Sequence, residues 1–262
     1  MKFQILTLFP EFFSSFIQTG LISKAIQKSI IDIELIDVKI FSDKGRADDY
    51  PIGGGESMII SYTPLKKALQ SLKKLGHVVC LSPQGEIWNF KKAKGFSTQY
   101  KTVTLICGRY GGIDLRLIQD FVHEEISIGD YVLNGGETAS LVLIESCSRF
   151  LENFMKNRKS HQKDSFENSL LKSPQWTKPN SIEGHTIPKI LLSGHHKKIK
   201  EFRYYSSLWL TYLKKPYLLE KKSLFLKDLF KAKNYLKQFS PLELKALGLK
   251  KEKADLVLIK KK

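Results

Sequence analysis

The chain lacks any apolar run approaching the roughly 18–20 residues that cross a bilayer. Its apolar start, "MKFQILTLF", is interrupted at Pro10 and Glu11, and no cleavage-site pattern follows. No membrane span and no secretory leader are expected, and the protein is expected in the cytoplasm. Cysteine is scarce. Cys80, Cys107 and Cys147 are odd in number, far apart and set among apolar residues ("VVCLS", "LICGR", "IESCSRF"). That argues against a disulfide framework or a cysteine zinc site and leaves reduced, buried thiols. The signatures of phosphate-binding loops are missing too. Nothing fits G-x-x-x-x-G-K-[ST], and no G-x-G-x-x-G opens a helix after a strand. Neither G-x-S-x-G nor H-E-x-x-H occurs, and metal-ligating residues do not cluster, so no protein-only metal site is expected.

What is present is charge of one sign, unevenly placed. The 262 residues carry a net +17. Residues 1–150 hold 17 Lys+Arg against 16 Asp+Glu, a net of +1, so the remaining residues hold 26 against 10, a net of +16. A lysine-biased composition would reach both parts. The asymmetry instead points to a second half that binds a polyanion, most simply nucleic acid, with an anionic membrane surface as the weaker rival. Its cations gather at Lys197, Lys198, Lys200 and Arg203, then at 214–215, 221–222 and 250–253.

The first part alternates in period. "KFQILTLF" (2–9) and "IDIELIDVKI" (31–40) predict strands, and "HVVCLSP" (77–83) and "TVTLICG" (102–108) predict strands buried on both faces. Helical spacing predicts helices over 10–29, 64–75, 113–122 and 137–154. Strands alternating with helices imply an α/β layer with a mostly parallel sheet. Residues 155–169 are polar and aperiodic, residues 173–196 are rich in turn formers, and from Lys197 the chain reads as basic helices. The expected organisation is a domain over 1–155, a linker over 156–172 and a small helical domain over 173–262, with no internal repeats.

Three glycine- or proline-rich loops follow or interrupt the predicted strands of the first part: "LSPQGE" (81–86), "CGRYGG" (107–112) and "SIGDYVLNGGE" (127–137). Ligands of parallel sheets bind beyond the carboxyl ends of strands, so the three can converge on one pocket. The last loop reads as two half-strands punctuated by glycine, and it holds no cation. The implied pocket is neutral, lined by backbone and by Tyr110 and Tyr131. It suits a nucleoside without phosphate, read along its edge by backbone groups and covered by apolar walls.

In order, "LSPQGE", "LICGRYGGIDLR", "SIGDYVLNGGE", "SRF" (148–150), "DSF" (164–166), "SLLKSPQWTKP" (169–179) and "ILLSGHHKKIKEFR" (190–203) closely resemble the bacterial tRNA (guanine-N1)-methyltransferases of the TrmD family. "KFQILTLFPEFF" and "DDYPIGGGESM" look like it as well, so the resemblance runs from the first residues to about Arg203. It implies a trefoil-knotted α/β domain of the SPOUT class, followed by a basic helical domain. It implies S-adenosylmethionine at the knot and a homodimer with each active site at the subunit interface. The reaction it implies is methylation of N1 of guanosine 37 of tRNA, beside the anticodon and preceded by another guanosine. Magnesium is not readable from the sequence; any that takes part is expected to be held partly by RNA.

The resemblance assigns roles residue by residue. Guanine N1 is protonated at neutral pH, so a base must remove its proton, and a donor at O6 would stabilise the charge that develops. Asp164 of "DSF" corresponds to the base, and Arg149 of "SRF" to the residue assisting it. From the residues alone, Asp164 reads as the cap of a short helix and Arg149 as a helix-surface ion pair. The cofactor is assigned Leu81, Ser82, Pro83, Gly108, Ile128, Gly129, Asp130, Tyr131, Val132, Leu133, Gly135 and Gly136. The RNA is assigned Lys172, Lys178, Lys197, Lys198 and Arg203. Five places depart from the family pattern: Gly111 stands for a glutamate, Thr138 and Ala139 replace "LP", "GGGESM" replaces "GGGPGM", Lys178 replaces arginine and His195 replaces asparagine. Two rivals stay open: a ribose 2′-O-methyltransferase of the same knotted class, and an RNA-binding protein without catalysis.

Overall fold

The computed structural model describes residues 1–43, 45–156, 164–219 and 224–247. The chain divides into two compact units, 1–158 and 159–262.

In the first unit the strands are β1 (Lys2–Thr7), β2 (Asp32–Asp37), the two-residue pair β3 (Asp48–Asp49) and β4 (Ile59–Ile60), β5 (His77–Ile87), β6 (Thr102–Cys107) and β7 (Glu124–Ser127). Its helices are α1 (Ser14–Gln18), α2 (Gly20–Gln27), α3 (Tyr62–Gln70), α4 (Phe90–Gln99), α5 (Leu115–Phe121) and α6 (Glu137–Ser148). Five strands form one sheet in the order β2-β1-β6-β5-β7, every pair parallel. The predicted parallel α/β layer is present.

Alternation along the central strands supplies both faces of the core. Phe3, Ile5, Val79, Val103 and Leu105 pack with α2, α4 and α6. Leu6, Val78 and Ile106 pack with α3 and α5. Burial on both faces is why these strands read as near-continuous apolar runs.

Local chemistry moves several boundaries. The single helix expected over 10–29 is broken. A 3-10 turn at Pro10–Phe13 leads into α1, and Thr19 is extended (φ −120, ψ 156) before α2 begins. Asp114 caps α5 by accepting from Arg116 N–H. Helix α4 was not anticipated; Asn89 caps it by accepting from the N–H groups of Lys91 and Lys92. The half-strands read into 127–137 are absent, because β7 ends at Ser127 and the chain then runs as an irregular loop to Gly136.

The second unit holds a two-stranded antiparallel hairpin, β8 (Ser181–Ile182) and β9 (His185–Thr186), and helices α7 (His196–Lys214), α8 (Leu224–Leu236) and α9 (Pro241–Ala246). Phe202, Leu208 and Trp209 of α7 pack with Leu229, Ala232 and Leu236 of α8 in a separate small core. The stretch expected as a linker divides. Residues 157–163 lie outside the described residues, whereas 164–172 is tied to α7: Leu171 N–H donates to Thr211 Oγ1 at 2.8 Å, and Ser207 Oγ donates to Leu171 O. The expected cation clusters at 221–222 and 250–253 also lie outside the described residues.

Candidate active site

Three neighbouring strands meet at one rung, where β6 ends, β7 nears its end and β5 leaves its ladder. Leu81 of β5 stands opposite Cys107 of β6 on one side and Ile126 of β7 on the other. The segments that leave there therefore emerge side by side. The first is an excursion inside β5, since both Leu81 and Glu86 pair with Ile126. The second runs from Gly108 to Gly112 and the third from Ile128 to Gly136. They are stitched together: Gly136 N–H donates to Gly108 O at 2.9 Å, and Arg109 bridges to both Gly112 and Gly135. The hairpin of β3 and β4 closes one side, with Gly111 N–H donating to Met58 O at 2.8 Å and Ile60 N–H to Gly112 O at 3.0 Å.

Between the three loops lies a cavity of about 550 Å³, inside the ~300–1,000 Å³ typical of small-molecule sites. Eleven of the twelve residues expected to meet the cofactor line it: Leu81 to Pro83, Gly108, Ile128, Gly129, Tyr131 to Leu133, Gly135 and Gly136. Asp130 lies in the same loop but does not line the cavity. Gly129 sits at φ +154, and a Cβ there would come within 2.3 Å of the Tyr131 ring, so the turn that brings Tyr131 back over the loop needs glycine. Ser127 Oγ, donating to Gly129 O at 3.1 Å, holds that turn.

The cavity contains no lysine. Its charged lining residues are Arg109 and Glu125. One of these, Arg109, pairs with a buried carboxylate that sequence reasoning missed. Glu137, the first residue of α6, is 1% exposed and accepts from Thr7 Oγ1 at 2.8 Å. Arg109 Nε lies 2.9 Å from Glu137 Oε2, close enough for an ion pair but off the line that an N–H···O bond requires, so charge attraction is what joins them. The guanidinium also stacks on Phe9, 4.4 Å from the ring centre. One pair thus ties the ends of β1 and β6 to the start of α6. Nothing in sequence pairs residues 28 apart; only the shared strand ends reveal it.

All three thiols are buried. Burial pushes Cys80 up to about 12, and burial, reinforced by the Glu137 charge, pushes Cys107 well above the usual thiol range. Both stay protonated and non-nucleophilic at neutral pH. Among the described residues, no group of three or more His, Cys, Asp or Glu could hold a metal ion, and no helix is long and apolar enough to cross a membrane.

The remaining expected site residues fall in different units. Arg149 is the C-cap of α6 in the first unit, with its N–H donating to Glu145 O at 3.3 Å. Asp164 belongs to the second. Its Oδ1 accepts from Lys172 Nζ at 3.2 Å, and Ser165 Oγ accepts from Lys172 N–H at 3.0 Å. No helix begins at Asp164: the 3-10 turn that follows starts at Glu167, with Phe166 at its cap in a left-handed conformation (φ 76). The capping alternative for Asp164 therefore falls away. Lys197, Lys198 and Arg203 are exposed on the first two turns of α7, and Lys178 is exposed in the preceding loop.

Comparison with known proteins adds relatives to this geometry. The family described as tRNA (Guanine-1)-methyltransferase TrmD matches residues 1–221. A tRNA (guanine-N(1)-)-methyltransferase of Mycoplasma mycoides is 43% identical over 223 residues, 84% of this chain and 92% of the relative. Proteins of that name from Acholeplasma laidlawii and from Buchnera aphidicola of Schizaphis graminum are 43% and 44% identical over 227 residues, covering 86% and 85% of this chain and 93% and 86% of the relatives.

Proposed function

We propose, on the premise that this chain belongs to the tRNA (guanine-1)-methyltransferase TrmD family, that it methylates N1 of guanosine 37 of tRNA, beside the anticodon and after another guanosine. In this reading S-adenosylmethionine is the donor, the first unit is trefoil-knotted, and two copies form a dimer with each active site at their interface. The observation that carries it is the meeting of three cation-poor loops at the ends of β5, β6 and β7 around one cavity of about 550 Å³.

The cavity fits that donor on its own chemistry. A phosphate-bearing ligand would call for a lysine, and none lines the site. Arg109 is already matched by Glu137. Val132 and Leu133 line the cavity, and among the described residues their N–H groups have no acceptor within the chain, so they are available to a heterocycle edge. Leu81, Ile128 and Leu133 supply apolar walls, and Tyr131 an aromatic one. When bound, the donor supplies an electrophilic methyl group on a sulfonium.

The chain's residues must then make guanine N1 a nucleophile. Asp164 accepts the N1 proton, and the negative charge that moves onto O6 meets the Arg149 guanidinium. Lys172, which holds one Asp164 oxygen at 3.2 Å, fixes the carboxylate's orientation before the base arrives. The basic second unit grips the tRNA backbone through Lys172, Lys178, Lys197, Lys198 and Arg203 and presents the anticodon loop to the first.

The test is nucleoside mass spectrometry of a tRNA transcript incubated with the protein and S-adenosylmethionine. N1-methylguanosine, absent when guanosine 37 is replaced, is the expected product. A ribose methyl would establish the rival reaction, and no methyl at all would leave an RNA-binding protein.

A further inference from the structure

Helix α8 (Leu224–Leu236) lies past residue 221, where the family match ends. Its inward face is ordinary: Leu229, Ala232 and Leu236, spaced by three and four, are buried against α7. Its outward face is not. Lys227, Phe230, Lys231 and Asn234 follow at helical spacing, with Lys237 just beyond, and all are exposed. Phe230 is 64% exposed in the middle of this stripe. A phenylalanine left in water forgoes roughly 1.5–3 kcal/mol of burial, and among the described residues nothing in the second unit's packing requires it there.

The stripe does not stop at α8. Tyr204 of α7 donates from its hydroxyl to Asp228 Oδ2 at 2.9 Å, and Lys231 Nζ lies 3.4 Å from Asp228 Oδ1. Asp228 therefore acts as a buckle between the helices, its charge taken up by both. Partial burial, together with that carboxylate, pushes the Tyr204 phenol up to about 12, so the ring stays neutral. Tyr204, exposed on α7, joins the stripe at this buckle. The result is a ridge with two exposed aromatic rings among cations.

We infer that this ridge is a base-stacking site for the tRNA: an unstacked nucleobase lies on the Phe230 ring while Lys227, Lys231 and Lys237 hold the flanking phosphates. Cations alone would suit any polyanion surface. An exposed ring spaced between cations along the helix suits a splayed base, because every base has a π-face and single-stranded RNA offers it. A second copy is a poor occupant, since two such ridges carry like charge. The inference rests on the tRNA reading proposed above, and it adds a contact beyond the segment matched by the family.

Binding of an unmodified tRNA transcript, followed by anisotropy at roughly 50–300 mM salt, a range that spans strong changes in screening, tests it. Phe230→Ala should weaken binding about 5- to 100-fold, the range for losing one stacked base, with the salt slope unchanged. Lys231→Gln should flatten the slope by about 1. Phe230→Trp should keep the affinity, and its added emission should be quenched when tRNA is bound. Phe230 is exposed, so the variants are expected to fold; circular dichroism melts matching the parent's check this. Affinity of Phe230→Ala within twofold of the parent at every salt, or unquenched emission at saturating tRNA, overturns the stacking site. So does a loss of self-association, rather than of tRNA binding, in Phe230→Ala by sedimentation. A parent that binds no tRNA would instead sink the functional reading itself.

Discussion

Residues 1–150 balance their charges around a parallel sheet, whereas residues 151–262 carry sixteen surplus cations, and the described part of that half is built of helices and one short hairpin. The two units also differ in how they use polar groups. In the first, ionic chemistry is turned inward: Glu137 is buried and matched by Arg109 and Thr7 beside a cavity without lysine. In the second, Lys197, Lys198, Arg203, Lys227 and Lys231 all face solvent, and the polar side chains buried among the described residues, Ser173, Ser206, Ser207 and Thr211, are all uncharged. A small ligand is recognised by shape and backbone, which demands a fixed interior. A polyanion is recognised by field, which demands only that cations stay outside. If the proposed function holds, the contrast separates holding a donor from holding an RNA, and substitutions should pull the two apart.

The largest expected effect breaks the comparison at Asp164, the one residue of the second unit proposed to take part in the chemistry. Asp164→Ala should lower single-turnover methyl transfer by about 10²–10⁴-fold, the usual contribution of a general base. Calorimetric titration should meanwhile find donor affinity within about twofold of the parent. Methyl transfer within tenfold of the parent would remove Asp164 as base.

Next in size is a loss confined to the first unit. Glu137→Ala leaves the Arg109 cation without its carboxylate and should cost about 1–3 kcal/mol, less than the full loss of a buried pair because Arg109 is partly exposed at the cavity. Hydrogen exchange should speed up at the amides of β1, β6 and α6 and stay unchanged in α7. Equal loss of protection in both units would show that their stabilities are not separate.

Gly129→Leu sharpens the contrast with an effect of similar size. The positive φ and the Tyr131 ring crowd any side chain, and strain of about 1–3 kcal/mol, relieved at the expense of the bound conformation, corresponds to donor binding weaker by roughly 5- to 150-fold. The affinity for tRNA should be untouched; a titration showing unchanged donor affinity would contradict this. The smallest effect falls on the second unit alone. Changing Lys197 and Lys198 to glutamine should flatten the salt dependence of tRNA binding by about 1–2 in log–log slope, equally for all tRNAs. A slope equal to the parent's would exclude both lysines as phosphate contacts.

The parallel layer was legible because β1, β5 and β6 are buried on both faces and so are written as apolar runs. The loops around the cavity were legible because strand ends demand glycine and proline where the chain must turn. Helix α4 escaped because "FKKAKGFSTQ" buries only Ala93 and Phe96 and carries Gly95; its one signal was Asn89 standing ahead of two lysine N–H groups. Strand β7 escaped because four residues beginning Glu124-Glu125 carry almost no hydrophobic pattern. The Arg109–Glu137 pair could not be read from sequence, since it depends on which strand ends the sheet order brings together. The functional resemblance reached further than periodicity because a motif keeps residues whose reasons are chemical rather than conformational.

The excursion inside β5 has an architectural meaning. Strand β5 leaves its ladder at Leu81 and rejoins it at Glu86, both opposite the same Ile126. The wall of the cavity formed by 82–85 is therefore a closed detour whose length is decoupled from the register of the sheet. The register of the strands therefore sets no constraint on the length of the crest at Pro83 and Gln84, which line the cavity. The re-entry point is fixed, because at Gly85 a Cβ would lie 2.3 Å from Ile126 N. The sheet thus offers one wall of its ligand site as an interchangeable part, hinged at a single rung and locked by a single glycine.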